Sequence, residues 1–205
     1  MVIKENFISP SQILINSKIS SLPVDIFTVS KYLNIKVLPF SYIRKFEYEY
    51  PPVKNKKLVS FCDKNPFGFA IKLNNLNLIF YDEFQPSDQT RWTIAHEIAH
   101  IILCHTENQV NSIPLKENKK SIFDIEADDF AAKLLCPFIV AHFCTVTSPK
   151  EIKQLSQISL SASQIIYNNI NFKREKNDFF KSEIDYFLIQ NFSKFICSYL
   201  NKKLI

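Results

Sequence analysis

Glycine is almost absent from this chain: Gly68 is the only one among 205 residues. Phosphate-binding loops of the Walker and dinucleotide types need several glycines at fixed spacing, because the backbone must approach the phosphates closely. The sequence therefore excludes nucleotide binding by loops of either type. Hydrophobic residues, in contrast, make up 46% of the chain, and 19 residues are phenylalanine. A sizeable core is expected, in one domain or in a domain with an appendage.

Paired cysteines and long apolar runs are also missing. The five cysteines are an odd number, and no two of them form a C-x-x-C pair. No apolar run is long enough to cross a membrane. The first residues lack the pattern of a signal peptide. We therefore expect a cytoplasmic protein whose thiols are free and serve as small core residues.

A strong excess of positive charge is missing too. The net charge is +5, and the densest basic stretches, Lys116–Lys120 and Lys173–Lys176, both contain glutamate, which favours a solvated surface over a nucleic-acid patch. Residues 149–170 resemble a helix-turn-helix, so a DNA-binding regulator is one rival hypothesis. However, the segment from Ser161 to Ile170 has no lysine or arginine, and phosphate contacts dominate DNA affinity. The segment is better interpreted as a packing unit or a partner surface.

One motif concentrates ionisable chemistry in an apolar segment. His96, Glu97 and His100 form H-E-x-x-H within residues 91–105. Histidines four residues apart lie on one face of a helix, where both imidazoles can bind one zinc ion, and Glu97 can accept a proton from a metal-bound water. The residues from Ile98 to Cys104 are apolar apart from His100, so this imidazole needs a partner in the interior. The pattern indicates a metal site rather than two core histidines.

His105 is the nearest histidine that could complete the site. Catalytic zinc takes three protein ligands and keeps a fourth position for water. Continued helical geometry would place His105 about 140° around the helix from His100. Leu103 and Thr106 stand where the metzincin pattern has glycine and histidine. We therefore interpret His105 as a structural or surface histidine, and the distant His142 as no ligand.

A second predicted helix offers carboxylates instead. Glu126 borders its apolar stripe, while Asp128 and Asp129 point further away from it. Asp124 also borders the stripe, but it lies near the helix start and has a shorter side chain. Glu126 is therefore the predicted third ligand. Taken alone, this glutamate would be an ordinary acid near a helix N-terminus.

The two helices together resemble the ImmA/IrrE family of bacterial metallopeptidases. The family pattern is R-x-T-x-A-H-E-x-x-H followed by E-A-x-x-F-A-x-x-L-L-x-P; here residues 91–100 are RWTIAHEIAH and residues 126–137 are EADDFAAKLLCP. The resemblance covers roughly residues 20 to 170. It implies that His96 and His100 are zinc ligands, that Glu97 is the catalytic base and that Glu126 is the third ligand. The departures are Ala99, where glycine is common, and Cys136, where methionine is common.

The fold that we expect is α+β: a zincin-like metallopeptidase core, in which a small antiparallel or mixed sheet packs against the H-E-x-x-H helix, with a helical C-terminal region. The first domain spans residues 1–145 and the helical region 146–205. Apolar runs bounded by turn residues predict strands after an early helix–strand unit. The runs are Leu58–Cys62, Phe67–Leu73 and Leu76–Tyr81, with Asn74 and Asn75 at a hairpin tip. Polar residues Thr106–Lys120 predict a loop between the two motif helices.

The resemblance also implies a function. By this resemblance, the protein would be a zinc-dependent endopeptidase with one catalytic Zn²⁺. It would hydrolyse a specific peptide bond in a helix-turn-helix (Xre-type) repressor and so relieve repression of stress, phage or mobile-element genes. An extended substrate would add as a strand beside the hairpin. Tyr81, Arg91 and His142 are all open as donors to the oxyanion. Two further hypotheses stay open: a regulator that binds metal and a repressor or antitoxin without cleaving it, and a toxin-like or general protease. Iron or manganese could replace zinc.

Overall fold

The computed structural model describes residues 8–43, 62–73, 76–105 and 121–203. The chain divides into two compact units: Ser30–Asp128 is one, and Met1–Val29 with Asp129–Ile205 is the other. The predicted α+β class is confirmed, since one small mixed sheet accompanies many helices. The domain boundary at residue 145 is not one of these divisions and stays a prediction. No described helix combines the length and the apolar character that a membrane span requires.

The unit Ser30–Asp128 contains a three-stranded sheet. Its strands are β1 (Ile35–Pro39), β2 (Gly68–Leu73) and β3 (Leu76–Tyr81), in the order β1-β3-β2. The central strand β3 pairs in parallel with β1 and antiparallel with β2. The two strands predicted from the runs at 67–73 and 76–81 are confirmed. The hairpin tip at residues 74 and 75, the loop 106–120 and residues 58–61 of the run predicted as a strand lie outside the described residues. Cys62, the last residue of that run, is helical rather than extended.

Strand β2 has one described partner strand, and its ladder fixes which backbone groups point away from that partner. The backbone N–H of Asp82 donates to the carbonyl of Phe67 at 3.0 Å, just before the strand pair begins. Hydrogen-bonded pairs alternate along an antiparallel ladder. The residues of β2 whose backbone groups therefore point away from β3 are Gly68, Ala70 and Lys72.

The helix that carries the H-E-x-x-H motif, α3, runs from Ser87 to Ile102. Pro86 is the N-cap of α3, and no side chain makes a capping hydrogen bond. The carbonyl of Pro86 accepts hydrogen bonds from two amides of the first turn. Asp88 in that turn interacts favourably with the helix dipole. The buried face of α3 packs on β2 and β3.

The remaining described helices agree with the predicted helical segments. The last segment, predicted as one or two helices, is a single helix, α8. Their bounds are α1 Pro10–Asn16, α2 Ile26–Tyr32, α4 Ile122–Leu135, α5 Phe138–Phe143, α6 Pro149–Ser156, α7 Leu160–Glu175 and α8 Glu183–Lys203.

Gly68 lies where β2 meets the motif helix. A Cβ atom at this position would lie 2.6 Å from Cγ2 of Thr93 and 2.9 Å from the backbone oxygen of Phe80. Gly68 has no positive φ, so the position needs a glycine for space rather than for conformation. Because Thr93 precedes His96 by one helical turn, this close packing determines where the motif helix lies against the sheet.

Gly68→Ala should therefore lower the free energy of unfolding by about 1–3 kcal/mol, the range typical of overpacking in a core. Urea denaturation followed by circular dichroism measures this change. Thr93→Ser removes the nearer contact and should restore part of the lost stability in the double variant. A Gly68→Ala protein as stable as the wild type would contradict the proposed close packing.

Candidate metal centre

The two motif histidines face one another from successive turns of α3. Nε2 of His96 lies 3.0 Å from Nε2 of His100. His100 is buried, whereas His96 is half-buried. This pair has the geometry expected of two imidazoles that share one metal ion.

The protonation of His96 is fixed by Asp128, a residue of α4. Nδ1 of His96 lies 2.8 Å from Oδ1 of Asp128. An ionised carboxylate only accepts hydrogen bonds, so Nδ1 carries the proton and Nε2 of a neutral imidazole keeps its lone pair. Burial alone would lower the pKa of His96, but the Asp128 hydrogen bond and the neighbouring acidic groups outweigh burial and raise it.

The environment of His100 keeps its imidazole neutral. Burial lowers the pKa of His100 to about 4, and the neighbouring His96 and His105 act in the same direction. Burial also lowers the pKa of His105 against the opposing effect of Glu126. Both rings are therefore neutral at physiological pH, which is the form in which a histidine binds a metal.

Asp124 supplies the carboxylate beside the histidine pair. Its Oδ1 lies 3.4 Å from Nε2 of His100 and 3.9 Å from Nε2 of His96. His96, His100 and Asp124 form the one group, among the described residues, whose ligand atoms lie close enough to share an ion. Ligand atoms around tetrahedral zinc are ~3.3 Å apart when the bonds are about 2.0–2.1 Å long. The spacing and the N, N, O donor set therefore fit a metal ion.

Glu97 lines a cleft of about 420 Å³ together with His96, Asp128 and Trp92. Burial raises the pKa of Glu97 to about 7, while the charge of His96 and a hydrogen bond from the backbone of Ala70 oppose this rise. A carboxyl group with a pKa near neutrality can both accept and release a proton at physiological pH. The cleft thus places a proton carrier next to the metal-binding residues.

Glu126, the predicted third ligand, is not part of the group that could share an ion. Its Oε2 lies 3.2 Å from Nε2 of His105, and its side chain is 55% exposed. The geometry favours Asp124 as the third ligand, and the role of Glu126 as a ligand stays a prediction. Sequence reasoning weighed Asp124 and rejected it for its short side chain. Asp124 and Asp128 are four residues apart, like the two motif histidines, and this matched spacing was the available signal.

His105 is buried rather than on the surface, and it contacts the site without joining the group that could share an ion. The helix ends at Ile102, and Cys104 has a φ of 57°, in the left-handed region. The chain therefore turns before His105, and the angle expected from a continued helix does not apply. Nδ1 of His105 lies 3.0 Å from Nδ1 of His100.

The structure does not decide which of the predicted residues donates to the oxyanion. Nδ1 of His142 accepts a hydrogen bond from Nε of Arg174 at 3.3 Å, and its ring stacks on Phe179 at a centroid distance of 4.1 Å. His142 therefore has a structural role of its own. Tyr81 and Arg91 stay predictions.

A helix with H-E-x-x-H, a carboxylate from a second helix and an acid of near-neutral pKa in a cleft together define a metal-dependent hydrolase site. Residues 44–154, more than half of the chain, match the family model Peptidase_M78, described as the IrrE N-terminal-like domain. The chain belongs to this family of metallopeptidases, which confirms the predicted resemblance. No curated protein and no solved structure gives a significant match to the chain.

Asp124→Ala should remove high-affinity zinc binding, because only two of the three protein ligands would remain. Glu126→Ala should still bind one zinc ion per chain. Zinc content after dialysis, measured by atomic emission, distinguishes the two variants. The opposite result, with zinc lost from Glu126→Ala and kept by Asp124→Ala, would restore Glu126 as the third ligand.

Proposed function

We propose that this protein is a cytoplasmic zinc endopeptidase that hydrolyses a specific peptide bond in a helix-turn-helix (Xre-type) repressor. The observation that carries the proposal is that His96 both lines a cleft with Glu97 and belongs, with His100 and Asp124, to the group that could share a metal ion. A zinc ion held by these three ligands would supply a polarised water nucleophile and would polarise the substrate carbonyl. The repressor as substrate follows from the family resemblance, and relief of repression of stress, phage or mobile-element genes follows from it in turn.

The protein's own contribution to the chemistry is the transfer of protons. Glu97 accepts a proton from the attacking water and donates it to the leaving amine. Its raised pKa suits both steps, because a strong acid would release protons readily but accept them poorly. Asp128 holds His96 in the tautomer whose Nε2 is free to bind metal.

The outward side of β2 is the proposed place for the substrate backbone. The backbone groups of Gly68 point away from β3, and Gly68 also lines the cleft of Glu97, whereas the amide of Ala70 already donates to Glu97. An extended peptide that pairs with Gly68 would lie beside the catalytic residues. Among the described residues β3 is the central strand, so β2 is the strand of the hairpin with a side that no described strand covers.

Glu97→Gln should keep one bound zinc ion and lose cleavage by at least about 100-fold, since the amide cannot accept the proton. The assay incubates the purified protein with candidate helix-turn-helix repressors, sought first among the neighbouring genes, and detects fragments by mass spectrometry. Glu175→Gln, a matched change at an exposed site on α7, should cleave like the wild type. Unchanged cleavage by Glu97→Gln would exclude Glu97 as the base.

The alternative is a metal-binding regulator that binds the repressor or an antitoxin without cutting it. Wild type and Glu97→Gln would then bind this partner equally and yield no fragments. Cleavage of unrelated proteins at a similar rate would instead indicate a general or toxin-like protease. A narrow substrate range with a single cut would support the proposal.

DNA binding by residues 149–170 is the less favoured second function. The segment forms α6 and the first part of α7, with Gln157 in the left-handed region between them. The exposed residues of this part of α7 include no basic side chain: Leu160, Ser161, Gln164, Ile165, Asn168 and Asn169. A surface without lysine or arginine gains little from phosphate contacts.

A further inference from the structure

A chain of hydrogen-bonding groups extends from the metal centre to the protein surface. Nδ1 of His100 lies 3.0 Å from Nδ1 of His105, and Nε2 of His105 lies 3.2 Å from Oε2 of Glu126. His100 and His105 are buried, whereas Glu126 is largely exposed. The ring of His105 also packs on Phe123, with the two centroids 4.7 Å apart.

The outer end of this chain determines where each proton lies. A carboxylate has no proton to donate, so Nε2 of His105 must carry the N–H that faces Glu126. A neutral imidazole has only one N–H, so Nδ1 of His105 is an acceptor. The hydrogen bond between the two rings then requires that Nδ1 of His100 is the donor. Nε2 of His100 is left with a lone pair, directed towards His96 and Asp124.

We propose that Glu126 and His105 are positioning residues that form a relay, which holds Nε2 of His100 unprotonated for the metal. This inference rests on the proposed metal site. Without the acceptor at Glu126, His105 could carry its proton on Nδ1. The hydrogen bond between the two rings would then be reversed, with His105 as donor and His100 as acceptor. His100 would then carry its proton on Nε2, where the proton competes with the metal. Glu126 would thus act on the metal through two imidazoles rather than as a ligand.

The relay fixes the tautomer of His100 in the way that Asp128 fixes the tautomer of His96, but through one additional imidazole ring. Asp128 reaches Nδ1 of its histidine directly at 2.8 Å. Glu126 is two residues away from Asp128 on α4 and uses His105 as an intermediate. The left-handed conformation of Cys104 turns the chain so that His105 reaches this place.

The experiment measures zinc affinity of the purified full chain by competition with a chromophoric chelator. Glu126→Ala and His105→Ala should each weaken zinc binding by about 10–100-fold, which is the usual effect of losing an outer partner. The double variant should be no weaker than His105→Ala. Glu126→Gln should stay near the wild type, because its amide oxygen still accepts from His105. His105→Asn, whose side-chain oxygen can accept from His100, should recover part of the affinity.

Nitrogen-15 NMR of the imidazoles in the metal-free protein provides a readout that a merely structural role would not change. His105 should carry its proton on Nε2 in the wild type and in Glu126→Gln, and populate both tautomers in Glu126→Ala. Glu175→Ala, which removes an exposed acid from α7, controls for the lost negative charge and should leave both readouts unchanged. Neither readout needs a substrate, so absence of cleavage would count against the proposed function and not against the relay.

Three results would overturn the relay. The first is a Glu126→Ala variant with wild-type zinc affinity and an unchanged His105 tautomer. The second is additive losses for Glu126→Ala and His105→Ala, since two members of one relay cannot lose the same contribution twice. The third is complete loss of zinc from Glu126→Ala at saturating metal, which would make Glu126 a direct ligand.

Discussion

The arrangement of this site depends on two imidazole nitrogens that face each other without a proton between them. Nε2 of His96 and Nε2 of His100 are 3.0 Å apart, and the outer partners of both rings place the protons on the opposite nitrogens. Two lone pairs at that distance repel each other, and a half-buried pair cannot be fully solvated by water. A metal ion bound by both nitrogens would remove this repulsion. It would thereby satisfy a polar requirement that the fold itself creates.

The small sheet matters because it positions the helix that carries this pair. Gly68 allows β2 to approach α3 at Thr93, one turn before His96. The same strand provides the backbone hydrogen bond from Ala70 to Glu97. Strand β2 thereby determines where α3 packs on the sheet and donates a hydrogen bond to Glu97. It also presents backbone groups with which a peptide could pair.

Much of this could be predicted from the sequence, because the patterns concerned are local. The motif helix, the strands at 67–73 and 76–81 and the helical C-terminal half depend on periodicity and on turn residues nearby in the chain. The choice between Asp124 and Glu126 as the third ligand could not be predicted from local patterns, because it depends on how α4 is rotated about its axis relative to α3. The place of His105 could not be predicted for another reason. Its position follows from a left-handed residue at Cys104, and no local pattern predicts that a cysteine adopts this conformation.

Four acids surround the histidines, and the partner of each acid decides what it does. Burial raises the pKa of Glu97 towards neutrality more than the charge of His96 and the hydrogen bond from Ala70 lower it, so Glu97 can exchange protons. Asp124 directs its carboxylate at the lone pairs of both motif histidines, which suits a ligand. Asp128 contacts Nδ1 of His96 and Glu126 contacts Nε2 of His105, where a carboxylate accepts the imidazole N–H and so fixes the tautomer. Because α4 carries the last three acids within two turns, one helix against the motif helix supplies the ligand and orients both imidazoles. A rotation of α4 about its axis would therefore change all three roles together, which explains why the site requires the two helices to pack in a single register.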